Sequence, residues 1–102
     1  MNTSYAHIQT DRSQFYFNQK IIMDGHIIPY TNDNYDLGST SSRWANIYTT
    51  DLQLSNESKK DNGGNDVDGT WGDYTIQEGE SDLFLINNRS GKKYKFMLQE
   101  VA

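Results

Sequence analysis

Residues 35–56 read YDLGSTSSRWANIYTTDLQLSN, and Trp44, Ile47, Tyr48, Leu52 and Leu54 all fall within that short span. Polar, turn-rich segments flank it on both sides. The stretch therefore holds a large share of the surface this chain can bury, and any fold must be organised around it. Gly38 after Leu37 permits a tight bend, and Ser39 or Thr40 is placed to cap a short helical turn near 39–45 with Trp44 on its inner side. Residues 46–50 and 52–54, rich in β-branched and aromatic side chains, then read as extended.

A chain of 102 residues makes one domain at most, or a piece of a longer one. Its hydrophobic residues, tyrosine included, are 34% of the total. Counting the eight glycines in place of the seven tyrosines barely changes that figure, against roughly 45–50% in an ordinary globular domain. A monomer this poor in apolar groups struggles to offset its chain entropy. Disorder is disfavoured by 13% aromatic residues and eight isoleucines. What remains is a fold whose core is completed by other copies of the chain.

The net charge of −5 argues against nucleic acid and anionic membrane as partners, since both require a basic face. One basic cluster, residues 89–95, reads as a solvated hairpin end. Absence of cysteine excludes disulfides and thiolate metal sites. No run of 18 apolar residues is present, so no membrane insertion is expected.

Along the chain, residues 1–12 form a polar lead. In residues 13–23 Phe15 and Phe17 alternate with Tyr16 and Asn18, followed by Ile21, Ile22 and Met23, the pattern of a half-buried strand. Asp24-Gly25 signals a hairpin turn into a short strand 26–28 that Pro29 ends. Thr31 to Asn34 is a polar turn whose side chains can bond their own backbone. Residues 13–56 thus form one β region. Residues 55–68 hold a single apolar residue, Val67, in a span of fourteen. A polar loop over 57–70 follows, long enough to be functional or mobile. Beyond it, residues 71–102 read as three strands, 71–78, 82–87 and 93–101, in an antiparallel meander, with Gly91 suited to a left-handed position in the second turn. Both faces of that sheet carry apolar side chains, which a lone three-stranded sheet cannot bury. The fold class is all-β, of short strands and hairpins, with other chains packed against it.

No catalytic constellation emerges. His7 and His26 have no nucleophile at motif spacing, and a carboxylate pair would need the oligomer to build its cleft. No enzyme activity, cofactor or metal is expected. Placing Gly69 at the sixth position of an EF-hand loop puts Gly64 first and Thr75 twelfth, so both end ligands are missing. The Gly-Gly-x-x-x-Asp run at 63–68 occurs once, whereas calcium β-rolls need stacked copies. A flexible acidic turn is the plainer reading. Exposed aromatic rings among Asn and Asp side chains are the usual chemistry of sugar binding. For Trp44 the core is favoured, while Trp71 and Tyr74 beside the polar loop fit core and contact surface equally.

The run Ile28-Pro29, Asn34-Tyr35-Asp36-Leu37-Gly38-Ser39 and Ser42-Arg43-Trp44-Ala45-Asn46-Ile47-Tyr48 resembles the I-P, YDLGS, RW-x-x-IY element of bacteriophage tail fibre and tail spike proteins. The following NDVDGTWG and GESDLFLINNRSGKKYKF stretches are similar to the C-terminal ends of virion structural proteins from phages of marine bacteria. Together these matches span about residues 15–101. In related fibres the element often precedes a self-cleaving chaperone domain, and no such role is expected of residues 1–102. The resemblance implies an intertwined parallel homotrimer with Leu37, Trp44, Ile47, Tyr48, Leu52 and Leu54 in the trimer core. It implies a virion tail fibre location after synthesis in the host cytoplasm, contact with other tail proteins, and attachment to a host cell-surface glycan or outer-membrane receptor. Asn62, Asn65, Asp66, Asp68, Trp71 and Tyr74 are the expected receptor-binding residues. A trimerisation module without receptor contact is the alternative.

Overall fold

In the span Leu52–Ser55 leucine alternates with polar residues, and in Asp73–Glu78 Tyr74 and Ile76 alternate with Asp73, Thr75 and Gln77. Such period-two patterns give each strand one apolar face. A computed structural model of the chain describes residues 4–102; residues 1–3, the start of the polar lead, lie outside the described residues. Four strands form a single antiparallel sheet: β1 (Leu52–Ser55), β2 (Asp73–Glu78), β3 (Leu83–Asn87) and β4 (Lys93–Lys95), in the order β1-β2-β3-β4. The protein is mostly β with almost no helix. A 3-10 turn at Glu57–Lys59 is the one helical element among the described residues, and no helix there is long and apolar enough to cross a membrane.

The register sorts the side chains. Leu52 pairs with Ile76, Ile76 with Leu85, and Leu85 with Tyr94, so these four run in a row across one face. Leu54 and Tyr74 lie beside them on the same face. The opposite face carries Gln53, Thr75, Ile86 and Lys93 in one row and Gln77, Phe84 and Lys95 in the next. The sheet is therefore apolar on one side and mixed on the other.

Two short turns close it. Gly79 N–H donates to the Asp82 carbonyl at 2.7 Å between β2 and β3. After β3, Asn87 N–H donates to the Lys92 carbonyl and Gly91, at φ 76°, donates to the Asn87 carbonyl. Only glycine adopts that angle without steric cost, as the sequence predicts for this position.

The N-terminal half departs from expectation. The strands expected at 13–23 and 26–28 do not form, and the described residues before Leu52 contain no strand. Gly25 stays out of the left-handed region that a two-residue hairpin turn requires, so the Asp24-Gly25 turn cannot align its flanks. Without a partner in the same chain, alternation alone does not make a ladder. The helical turn expected near 39–45 is replaced by a bend. Ser39 N–H donates to the Ser42 carbonyl at 2.9 Å, opposite in direction to a helical bond, and the Ser39 hydroxyl takes the Ser42 N–H at 3.0 Å. The helical element sits instead at Glu57–Lys59. Asp33, at φ 55°, does not bond its own turn through its carboxylate but accepts the Ser58 hydroxyl at 2.8 Å.

Among the described residues no apolar side chain is buried, and Thr75 at 6% exposure is the one buried residue. The radius of gyration is 18.6 Å, against about 13 Å for a compact chain of this length. The accessible surface is 10586 Å², whereas a compact monomer of 11.7 kDa exposes about 5,900 Å². One chain alone thus leaves roughly 4,700 Å² more surface open than a folded monomer does.

Candidate functional site

The residues between β1 and β2 have almost no apolar content, so their shape rests on hydrogen bonds. Asn56 holds the two ends together: its Oδ1 accepts the Gly72 N–H at 2.8 Å and its backbone N–H donates to the Gly72 carbonyl at 3.3 Å. The 3-10 turn follows. Lys59 N–H donates to the Asn56 carbonyl, and the Lys59 carbonyl then accepts from both Asn62 and Gly64. Gly64, at φ 64°, approaches the opposite limb so closely that a Cβ would sit 2.3 Å from the Gly69 carbonyl oxygen. No other residue type fits there.

Asn65 is the hub of the far end. Its Oδ1 accepts the N–H groups of Val67 and Asp68 at 2.7 and 2.9 Å, an Asx turn. Its amide donates to Asp68 Oδ1 at 2.8 Å and to the Thr70 carbonyl at 2.9 Å, while its backbone N–H donates to that same carbonyl. Asp68 Oδ1 also accepts the Thr70 hydroxyl at 2.7 Å and the Thr70 N–H at 3.1 Å. The Thr70 hydroxyl, then the Asn65 amide and the Thr70 N–H, hold the Asp68 carboxyl below its ordinary range. Such a network makes a polar loop into a shaped one.

On the β2 side, the Arg89 guanidinium stacks over the Trp71 ring, 3.7 Å from its centroid, and Arg89 Nη1 donates to the Trp71 carbonyl at 2.8 Å. Asn88 ties the second turn to β2, donating from its side chain to Asp73 Oδ1 at 3.0 Å and to the Thr75 hydroxyl at 2.9 Å. The Thr75 hydroxyl in turn donates to Gln53 Oε1 at 2.7 Å, and Thr75 sits on a strand flanked on both sides, between Gln53 and Ile86. The Asn87 amide donates to the Tyr74 hydroxyl at 3.4 Å.

Four of the six expected receptor-binding residues come together: Asn65, Asp68, Trp71 and Tyr74 line one open depression of about 370 Å³, with Asn56 and Thr70. Asn62 and Asp66 do not line it; both are exposed on the loop surface. The amide of Asn65 and one oxygen of Asp68 are occupied inside the loop, so they shape the depression more than they face into it. Asn56, Thr70 and Arg89 are the residues that sequence reasoning missed. Arg89 lies eighteen positions from Trp71, and only the β2–β3 register brings the second turn beside the loop.

The residues expected in a trimer core do not pack together within one chain. Leu52 and Leu54 share the apolar face of the sheet at 45% and 48% exposure. Leu37, Trp44, Ile47 and Tyr48 are more exposed still, with Trp44 lying beside Gly38. Among the described residues no three His, Cys, Asp or Glu side chains converge as a group that could hold a metal ion. No family model, curated protein or solved structure matches the chain.

Proposed function

We propose that this protein is the trimeric distal part of a bacteriophage tail fibre, a structural protein and not an enzyme, and that it attaches the virion to a host surface glycan or receptor. The observation that supports this reading most is the exposed surface of the single chain. About 4,700 Å² in excess of a compact monomer far exceeds what a standard protein–protein interface buries. Those exposed groups include the Trp44, Ile47 and Tyr48 of the fibre-like element and the apolar row of the sheet. Further copies of the same chain, intertwined with it, are the occupant, because each copy has the same deficit and the same apolar arm at residues 13–50 to offer.

The polar loop and the Trp71–Arg89 pair are the proposed contact surface. The trimerisation-module reading keeps one specific support, that Asn65 and Asp68 spend their polar groups within the loop. Two measurements decide. Sedimentation equilibrium should give three chain masses, and a single chain mass would remove the fibre reading. Labelled trimer incubated with susceptible cells should bind; a correctly trimeric sample that stays at background would leave only the trimerisation module.

A further inference from the structure

We infer that the Trp71–Arg89 pair anchors a binding site for an acidic saccharide, a sugar ring bearing a carboxylate; this rests on the attachment reading above. The chain is acidic overall, yet residues 83–99 contain no Asp or Glu and carry Arg89, Lys92, Lys93 and Lys95, four of its nine basic residues. This local reversal of charge lies on the second turn and β4. Arg89 is exposed, and among the described residues the ion pairs are Arg12–Asp11 and Lys60–Glu57, so no carboxylate neutralises it. Asp73 and Asp68 each take bonds from neutral donors, Asn88 for the first and Thr70 and Asn65 for the second, and neither lies within ion-pair distance of Arg89.

Stacking on Trp71 and the bond to the Trp71 carbonyl fix the plane of the guanidinium. One of its five N–H donors is used, and the others lie in the same plane, in the fork geometry that matches a carboxylate. A held arginine loses less freedom on binding than a free one. Around it, Thr70, Tyr74, Asn87 and Ser90 line an open depression of about 400 Å³, roomy enough for one sugar ring; the Tyr74 and Ser90 hydroxyls each accept one bond and keep a proton to donate, while the Thr70 hydroxyl and the Asn87 carbonyl oxygen are engaged with their own neighbours. Trp71 also borders the depression on the loop side, so its ring is a shared wall. An anion alone would use the fork; the aromatic and hydroxyl lining is what selects a sugar.

The test uses the full chain, 15N-labelled, titrated with D-glucuronate, D-glucose and acetate while the Trp71 indole N–H and Arg89 Nε–H signals are followed. Glucuronate should move both signals, with affinity about tenfold or more above that for glucose and for acetate. Arg89→Gln should lose that advantage, and Arg89→Lys, which keeps charge but not the fork, should retain part of it. Equal response to glucose, equal response to acetate, no response to glucuronate, or undiminished affinity in Arg89→Lys each overturns the proposal. If Arg89→Gln disturbs the β2 and β3 amide signals, the Arg89→Lys comparison decides alone. Cell binding separates this site from the wider reading: wild type and Arg89→Gln attaching equally sinks the site and leaves attachment standing. A wild type that responds to glucuronate but attaches to no cell does the reverse.

Discussion

Trp44→Ala tests whether the fibre-like element faces a three-fold seam. In one chain the residue is 63% exposed. An indole side chain has about 250 Å² to bury, so roughly 160 Å² is open to a neighbouring copy. At about 25 cal/mol per Å² that area is worth about 4 kcal/mol per chain, within the roughly 3–5 kcal/mol typical of Trp→Ala in a core. Three copies lose about 12 kcal/mol together, which at 1.4 kcal/mol per factor of ten weakens trimer association by roughly eight to nine orders of magnitude. The mutant should sediment as a single chain across the micromolar range where wild type sediments as three. Its sheet should survive, because Trp44 lies beside Gly38 and belongs to none of the four strands. A mutant that keeps three chain masses would refute the inward placement of Trp44, and a monomeric wild type would refute the premise.

Gly64→Ala should destabilise the loop by at least ~2 kcal/mol, since its Cβ meets the Gly69 carbonyl as well as a left-handed backbone. Gly63→Ala, at φ 94° with open space around it, should cost only about 1 kcal/mol, and urea unfolding compares the two. The Asp68 carboxyl is lowered from its ordinary value of 3.8 by hydrogen bonds, first of all from Thr70. Its contribution is therefore present above pH 3.8 and lost as pH falls through the lower folded value. Amide exchange at Thr70 should accelerate in that acid window, and Asp68→Asn should remove the inflection. Thr75→Val should cost about 1 kcal/mol, because it removes the bond to Gln53 Oε1 and one of the two bonds made by the Asn88 amide. Thermal unfolding of the full chain reads that loss.

The second half of the chain was legible because its signals are local. Tyr74 and Ile76 alternate with polar residues, Gly91 marks a left-handed turn, and β2, β3 and β4 fall inside the spans that these features define. β4 nevertheless ends at Lys95 where a strand to residue 101 is expected, because β3 begins at Leu83, whose carbonyl takes the Phe96 N–H, and offers nothing beyond it to pair with. Phe15 and Phe17 alternate just as well, yet no strand forms there. Periodicity states which side chains share a face; it does not state whether a partner strand lies in the same chain. The loop shows a related gap. Its polarity is plain from residues 55–68, but the choice of Asn65 as hub depends on Gly64 folding back on Gly69, a contact made by backbone. Arg89 read as a solvated turn residue because its partner, Trp71, is brought to it by strand register and not by spacing.

The hydrogen-bond economy of the loop bears on where contact with a ligand can occur. A polar side chain that already satisfies its neighbours gains little by turning to a ligand, since the bond it forms replaces one it gives up. Asn65 is in that position, and so is one oxygen of Asp68. Their effect is to hold the loop in one shape, which lowers the ordering cost for any group that binds beside it. The groups left with unspent capacity are the Arg89 donors, the edge of Trp71 and the Tyr74 ring, all on the flank where the loop meets the second turn. Recognition therefore belongs to that junction, on the proposed reading, while the apolar row from Leu52 to Tyr94 and the arm before it are left to other copies of the chain.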